Sequence, residues 1–466
     1  MKIGLVGSTL TQRSLPFDAQ RTINFYPVLD EQGKEVSALY GTPGLSLFAT
    51  AGDGAIRGLF ASTNGRAFAV SGDKLYEINS AGAVFLKGTL NTSSGAVTMD
   101  ENSTQLAICD QESIYIFTYS SSAFVEVTDS DLPSVGMVTF IDGYFVVNEN
   151  NSGRFFISAI NDGTSWDALD FATAESSPDN LKGVINAVGQ VWLLGDKTTE
   201  IWSNTGESTF PFRRITGGKL EVGVLSPLSA LEIDNSVFWV GNTEFGQGMV
   251  YRTQGFRPVK ISTEPIDIKV QAASDPENIR AFAYQQDGHV FYILTGGGLE
   301  TSLVYDLTTQ QWHERAYMNE QGIFEQHLAI SHMFIFGKTL VGDRRSGKIY
   351  DMALSFYDDD GEELVSERIY THIGDNDRRI RYNSLEISME TGVGTQTGQG
   401  SDPLISLQLS KDGARTWSDW FTASIGKIGQ YQTKIAFRRL GIAEQMTFKI
   451  RISDPVKRSL IGSYLK

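Results

Sequence analysis

The chain has 466 residues, of which 39 are basic and 55 acidic, for a net charge of −16. A dispersed acidic surface repels phosphate and excludes a conventional DNA-binding protein. The single cysteine, Cys109, rules out an intramolecular disulfide, while 41% apolar residues, 47 glycines and 12 prolines describe a core-bearing chain with many tight turns.

The apolar part of residues 1–7 is too short for a signal peptide, and no window approaches the roughly 18 apolar residues of a membrane span. The chain is therefore expected to start in a cytoplasm and to carry no membrane anchor. Residues 17–28 read as a strand stopped by Pro27. Residues 39–45 read as a Pro-Gly turn with Gly44 where φ must be positive.

A degenerate repeat follows. Short runs such as Lys74-Leu75-Tyr76 and Lys348-Ile349-Tyr350 end on aromatic anchors at Tyr76, Tyr115, Phe156, Trp202, Tyr251, Tyr305 and Tyr350, spaced 39, 41, 46, 49, 54 and 45 residues apart. A period of this size built from strands predicts an all-β chain containing a β-propeller. The first unit holds four strands, at residues 55–60, 66–70, 74–78 and 84–87. The strand before an anchor is a continuous apolar run, as in Val191-Trp192-Leu193-Leu194, so both of its faces should be buried. Seven anchors predict seven blades. The long spacing before Tyr305 and the weak last unit leave six open.

The repeat ends near residue 355. Residues 358–362 read as a solvated hairpin tip, since their acidic residues are consecutive rather than alternate as a calcium loop requires. Beyond 366, residues 381–389, 404–410 and 446–453 alternate apolar and polar, which predicts a β-sandwich. Residues 391–403, rich in Gly, Thr and Gln, read as a mobile loop. The predicted organisation is an arm at 1–50, a propeller at 51–365 and a sandwich at 366–466. The arm serves either as an assembly contact or as propeller closure. No long amphipathic helix is expected.

Few motifs carry chemistry. Residues 410–417 resemble the Asp-box of sialidases, with Ser410, Asp412, Gly413 and Trp417 in place and Ala414 where that family has glycine. Asp412 should bond the turn backbone and Trp417 should pack beneath it, a structural role. Arg57, Arg280 and Arg381 sit in apolar, strand-like settings and read as an anion cluster or as salt-bridged strand residues. The five histidines lack metal-ligand spacing, and Gly296-Gly297-Gly298 reads as a hairpin turn. No catalytic, cofactor-binding or metal residue is nominated.

The stretch DAQRTINFYPV followed by LYGTPGL, and the first blade IRGLF…AFAVSGDKLYEI, resemble the tail accessory proteins of short-tailed bacteriophages, also called packaged-DNA stabilisation or nozzle proteins. The resemblance implies a virion protein and not an enzyme, assembled in the host cytoplasm. It implies a homohexameric ring below the portal adaptor, which extends the channel, retains packaged DNA and passes it at ejection. Tail needle or fibre proteins attach nearby, and DNA moves through without sequence-specific binding. On this reading, deleting 1–50 should leave a folded propeller that fails to join tails. The competing reading is a carbohydrate-binding or sialidase-like propeller, favoured by the Asp-box-like turn and by Trp166 taken as exposed.

Overall fold

Gly, Asn and Asp residues with positive φ, such as Asp142, Gly143, Asn235 and Gly288, fold the chain back every few residues into antiparallel strands. The computed structural model describes residues 1–466 except 30–36, 176 and 376–377. Seven four-stranded blades result, at residues 56–89, 98–126, 135–173, 181–220, 223–260, 279–318 and 329–353. The first strands of successive blades contact one another in a closed ring around the axis. The seventh blade has three strands from its own segment. Its fourth is Gly44–Thr50, paired from Gly44↔Ala353 to Thr50↔Lys348.

Burial follows the sequence pattern. Val191, Trp192, Leu193 and Leu194 are all at most 1% exposed, because the second strand of a blade is covered by the blades on either side. One such interblade core joins Met137, Val146 and Phe155 to Val184 and Leu193. The wide spacing before Tyr305 comes from the helix Glu264–Gln271, inserted between blades five and six. Pro265 starts it, and Ile266 and Val270 bury against those blades.

The sandwich draws on both ends of the chain. One sheet orders Phe25–Leu29, Ser37–Gly41, Ser459–Leu465, Ile380–Met389 and Ile435–Ala443, with Lys2–Ile3 also on Ser459–Leu465. The other contains Ser366–Ile369, Gln445–Ile452, Leu404–Ser410 and Phe421–Ser424. Phe25, Leu39, Leu385, Leu407, Phe448 and Leu460 fill the space between them. The second sheet does not end at the sandwich. Arg21–Ile23 pairs antiparallel with Ser366–Ile369 and in parallel, at Ile23↔Glu314, with the outer strand of blade six. A single sheet therefore runs from the propeller into the sandwich.

Several local expectations are corrected. Of the two roles read for residues 1–50, propeller closure is met by Gly44–Thr50, the fourth strand of blade seven. The segment is not a separable arm, because it also supplies strands to the sandwich sheets, so its deletion cannot leave an intact propeller. Pro27 does not stop its strand. It pairs with Leu39 on a strand that ends the sheet, where a missing N–H is tolerated. Gly44 is required for close approach rather than for positive φ, since a Cβ there would lie 2.3 Å from Asp358 O and 2.8 Å from Phe356 O. The acidic run is a solvated tip only in part: Gly361 and Glu362 are exposed and Asp359 bridges Glu362, but Asp359 itself is 1% exposed and Asp360 pairs with Lys348 at 2.7 Å. Residues 391–403 are partly packed, with Thr391 Oγ1 donating to Tyr431 O at 2.8 Å and Gln396–Gln399 exposed.

Candidate functional site

The blade anchors are packing residues. All lie on the third strand of their blades. Tyr115 stacks on Phe124 at 5.3 Å, Phe156 on Phe171 at 5.4 Å and Tyr251 on Trp239 at 5.9 Å. Trp202 meets Phe155 edge-on at 5.1 Å, and Tyr305 meets Trp312 at 5.1 Å. The polar tips tie neighbouring loops: the Tyr115 hydroxyl accepts from Asn91 N at 2.8 Å, and Tyr350 donates to Asp343 at 3.3 Å. Tyr76 lies beside Gly52, where its hydroxyl would be 2.7 Å from an added Cβ.

The Asp-box-like turn is a self-bonded loop. Asp412 accepts from Ser410 Oγ, Arg415 N, Thr416 N and Thr416 Oγ1 at 2.6 to 3.1 Å, and these donors hold its carboxyl well below the usual range. Gly413, with φ of 74°, packs against Pro16. Trp417 lies with the Lys449 ammonium 4.1 Å from its ring centroid, and Trp420 is matched the same way by Arg451 at 4.7 Å. Trp166, taken from sequence as exposed, is 5% exposed and donates Nε1–H to Gly163 O at 2.9 Å. Its flanking polar residues hid a side chain that belongs to the core of blades two and three.

The structure divides the three arginines. Arg57 and Arg280 both line a channel cavity of about 500 Å³ at the propeller axis, and Arg280 Nη1 donates to Arg57 O at 3.1 Å. Arg381 lies far along the chain in the sandwich, in a groove with Arg438 and Arg439. Arg57 is fully engaged, donating to the carbonyls of Gly72, Thr92 and Gly95 and to Thr92 Oγ1. The ends of the inner strands opposite Arg57 and Arg280 carry Asp100 and Glu101 of blade two and Glu232 of blade five, so the axis has a basic end and an acidic end.

Charges pin the propeller to the sandwich. Glu314 on blade six is fully buried and receives Arg21, Lys269 and the Thr301 hydroxyl. Burial opposes its ionised form, but the Arg21 and Lys269 charges outweigh burial and hold the carboxyl far below the usual range. Arg368, also fully buried, donates to Leu5 O, Thr22 Oγ1 and Gln20 Oε1, and burial pulls it down to about 10. Asn24 bridges Ala316 O and Val365 O at 2.8 Å each. Sequence reasoning missed these pins, since Arg21–Glu314, Arg368–Leu5 and Asn24–Ala316 each join residues hundreds of positions apart.

The remaining chemistry is that of contact. Phe245, Phe17 and Tyr431 on loops and Leu169 on the outer strand of blade three are more than 70% exposed, the kind of side chain that a partner surface covers. The histidines are dispersed: His289 meets Asp306 at 2.8 Å, His372 Nε2–H donates to Leu15 O at 2.6 Å, and His313 is buried and pushed down to about 4 by burial. Among the described residues no cluster of three or more His, Cys, Asp or Glu is arranged to hold a metal. Cys109 is buried, with its thiol pushed up to about 12 by burial.

Two family descriptions divide the chain where the fold does. Residues 1–356 match "Bacteriophage P22 Gp10, beta-propeller" and residues 367–466 match "Bacteriophage P22 Gp10, beta-sandwich". The chain belongs to the bacteriophage P22 Gp10 family. It is a structural protein of a phage tail, with the propeller and sandwich of that family. No curated protein matches it. Among solved structures it is similar to the extracellular domain of the hybrid two component system BT4673 of B. thetaiotaomicron (10% identity, TM-score 0.46, 85% of this chain and 47% of that one). It is also similar to the Neurospora crassa Pan2 WD40 domain (8% identity, TM-score 0.42, 64% of this chain and 88% of that one). A third similar structure is the designed Ika8 protein (13% identity, TM-score 0.38, 66% and 99%). The chain spans about half the length of the first of these.

Proposed function

We propose that this chain is the subunit of a homohexameric ring at the phage tail, a nozzle that extends the portal–adaptor channel, retains packaged DNA and passes it at ejection. Its role is mechanical and not enzymatic. Its partners are further copies of itself, the adaptor above and the needle or fibre proteins beside it. It is made in the host cytoplasm and ends in the virion.

The match of both halves to the P22 Gp10 family is the observation that carries this reading. Two physical features support it. A net charge of −16 per subunit discourages adhesion of DNA to a conduit wall. A ring of identical subunits needs two different faces on each, and a propeller joined to a sandwich by one continuous sheet offers two faces in fixed relation. The glycan reading loses support, because Trp166 is buried and the Asp-box-like turn lies in the sandwich.

The test is a phage carrying a nonsense mutation in this chain, grown without a suppressor. Heads that fill with DNA but lose it, with infectivity restored by adding the purified protein, support the reading. Mutant particles that keep their DNA and remain infectious would refute it.

A further inference from the structure

Arg280 occupies the second position of the inner strand of blade six and reaches across the axis to blade one, where its one hydrogen bond is to Arg57 O at 3.1 Å. Among the described residues no carboxylate lies within ion-pair distance of it. Burial, reinforced by the neighbouring Arg57 charge, pulls it down to about 10. A guanidinium has five N–H donors in a planar fork, so Arg280 has most of its donors uncommitted. Arg280 is half-buried in the cavity wall, and a counter-charge there would offset the cost of its partial removal from water.

The same cavity contains two further polar atoms without a protein partner. Ser331 Oγ and His332 Nε2, on the adjoining inner strand of blade seven, are buried and make no hydrogen bond. His332 is pushed down to about 4 by burial, so at neutral pH its ring is uncharged and can donate one N–H. The wall between is apolar, with Leu59, Met99, Met137 and Phe282. The nearest carboxylate in the cavity lining, Glu232, belongs to the opposite end, where it accepts from Val188 N at 2.8 Å. A forked cation, a hydroxyl and a neutral imidazole line a cavity of about 500 Å³ that opens to solvent, and together they make a donor-rich, acceptor-poor wall.

We propose that the basic end of the propeller axis is a binding site for a small oxyanion of phosphate size, with Arg280 as its principal ligand and Ser331 and His332 as accessory donors. The anion completes the charge balance of the axis and ties blades six, seven and one together. It does not depend on the tail assignment.

The test is isothermal titration calorimetry of the full chain with sodium phosphate at constant ionic strength in Tris chloride, beside thermal melting in the same buffers. Wild type should bind phosphate saturably at one site. Arg280→Met should weaken binding by about tenfold or more, the value of a charge-assisted hydrogen bond, and Arg280→Lys by less. In phosphate-free buffer Arg280→Met should melt no lower than wild type, an outcome that a merely structural arginine would not give. Arg381→Met, in the sandwich groove, should bind as wild type. Absence of saturable binding, unchanged binding by Arg280→Met, or equal loss in Arg381→Met would overturn the proposal. Should Arg280→Met fail to fold, the comparison of Arg280→Lys and Ser331→Ala with wild type decides the matter: both weaken binding if the site is real, and neither does if it is not.

Discussion

Arg21 forks onto Glu314 across 293 residues of sequence, with Nη2 2.7 Å and Nε 3.1 Å from the carboxylate. The Arg21 strand is also the rung by which blade six continues into the sandwich, so the same residue closes a backbone ladder and a charge pair.

Removing Arg21 takes away the forked partner of a fully buried carboxylate and leaves Glu314 with Lys269 and the Thr301 hydroxyl. Arg21→Ala should therefore destabilise the chain by about 3–5 kcal/mol, read from urea denaturation at neutral pH. Lys269 stays 3.3 Å from Glu314 and keeps the loss from being larger. A loss indistinguishable from that of an exposed arginine substitution would contradict this role.

The same pair sets an acid dependence. The folded-state pKa of Glu314 is depressed, so its contribution is fully present above the unfolded value of about 4.3 and is lost as pH falls below it. Wild type should lose stability more steeply than Arg21→Ala between pH 5 and about 3. Parallel urea midpoints across that window would contradict the assignment.

Asp359 has the opposite sign. Its carboxylate is buried without a hydrogen bond, and burial lifts it to about 7 against the pull of Arg458. The folded state therefore holds the proton more tightly than the unfolded chain, and stability falls as pH rises from about 3.9 toward 7. Asp359→Asn should stabilise the protein at pH 8, by about 1–4 kcal/mol, and by less at pH 5. Urea midpoints at the two pH values check this, and a destabilised variant at pH 8 would refute it.

Closure of the ring rests on the Gly44–Thr50 strand. Gly44→Ala places a methyl against the backbone carbonyls of Asp358 and Phe356, neither of which can swing aside. A loss of about 1–3 kcal/mol is expected, with new protease cleavage near residues 41–50 as the seventh blade opens. Wild-type protease resistance would show that the strand is not what closes the propeller.

What the sequence revealed and what it hid have separate physical causes. Tyr115 and Tyr350 were legible as blade anchors because each blade repeats the same local demand, an aromatic on the third strand beneath its neighbours. Val191 to Leu194 were legible because burial on both faces leaves no room for alternation. The pairing of Ile3 with Ser463 left no local trace, since Ser463 Oγ donates to Ile3 O across 460 residues. Pro27 and Trp166 misled for one reason: their surroundings are set by strand order and by a neighbouring blade, not by adjacent residues. Arg280 was visible as an arginine in an apolar run, but only the axis shows that it stands without a carboxylate.

The most direct measurement is cryo-electron microscopy of purified virions labelled with an antibody fragment against this chain. The account predicts label on the particle axis at the tail, around a sixfold ring into which the propeller and sandwich fit as one rigid unit. Label confined to peripheral fibres, or axial density of another symmetry, would contradict it.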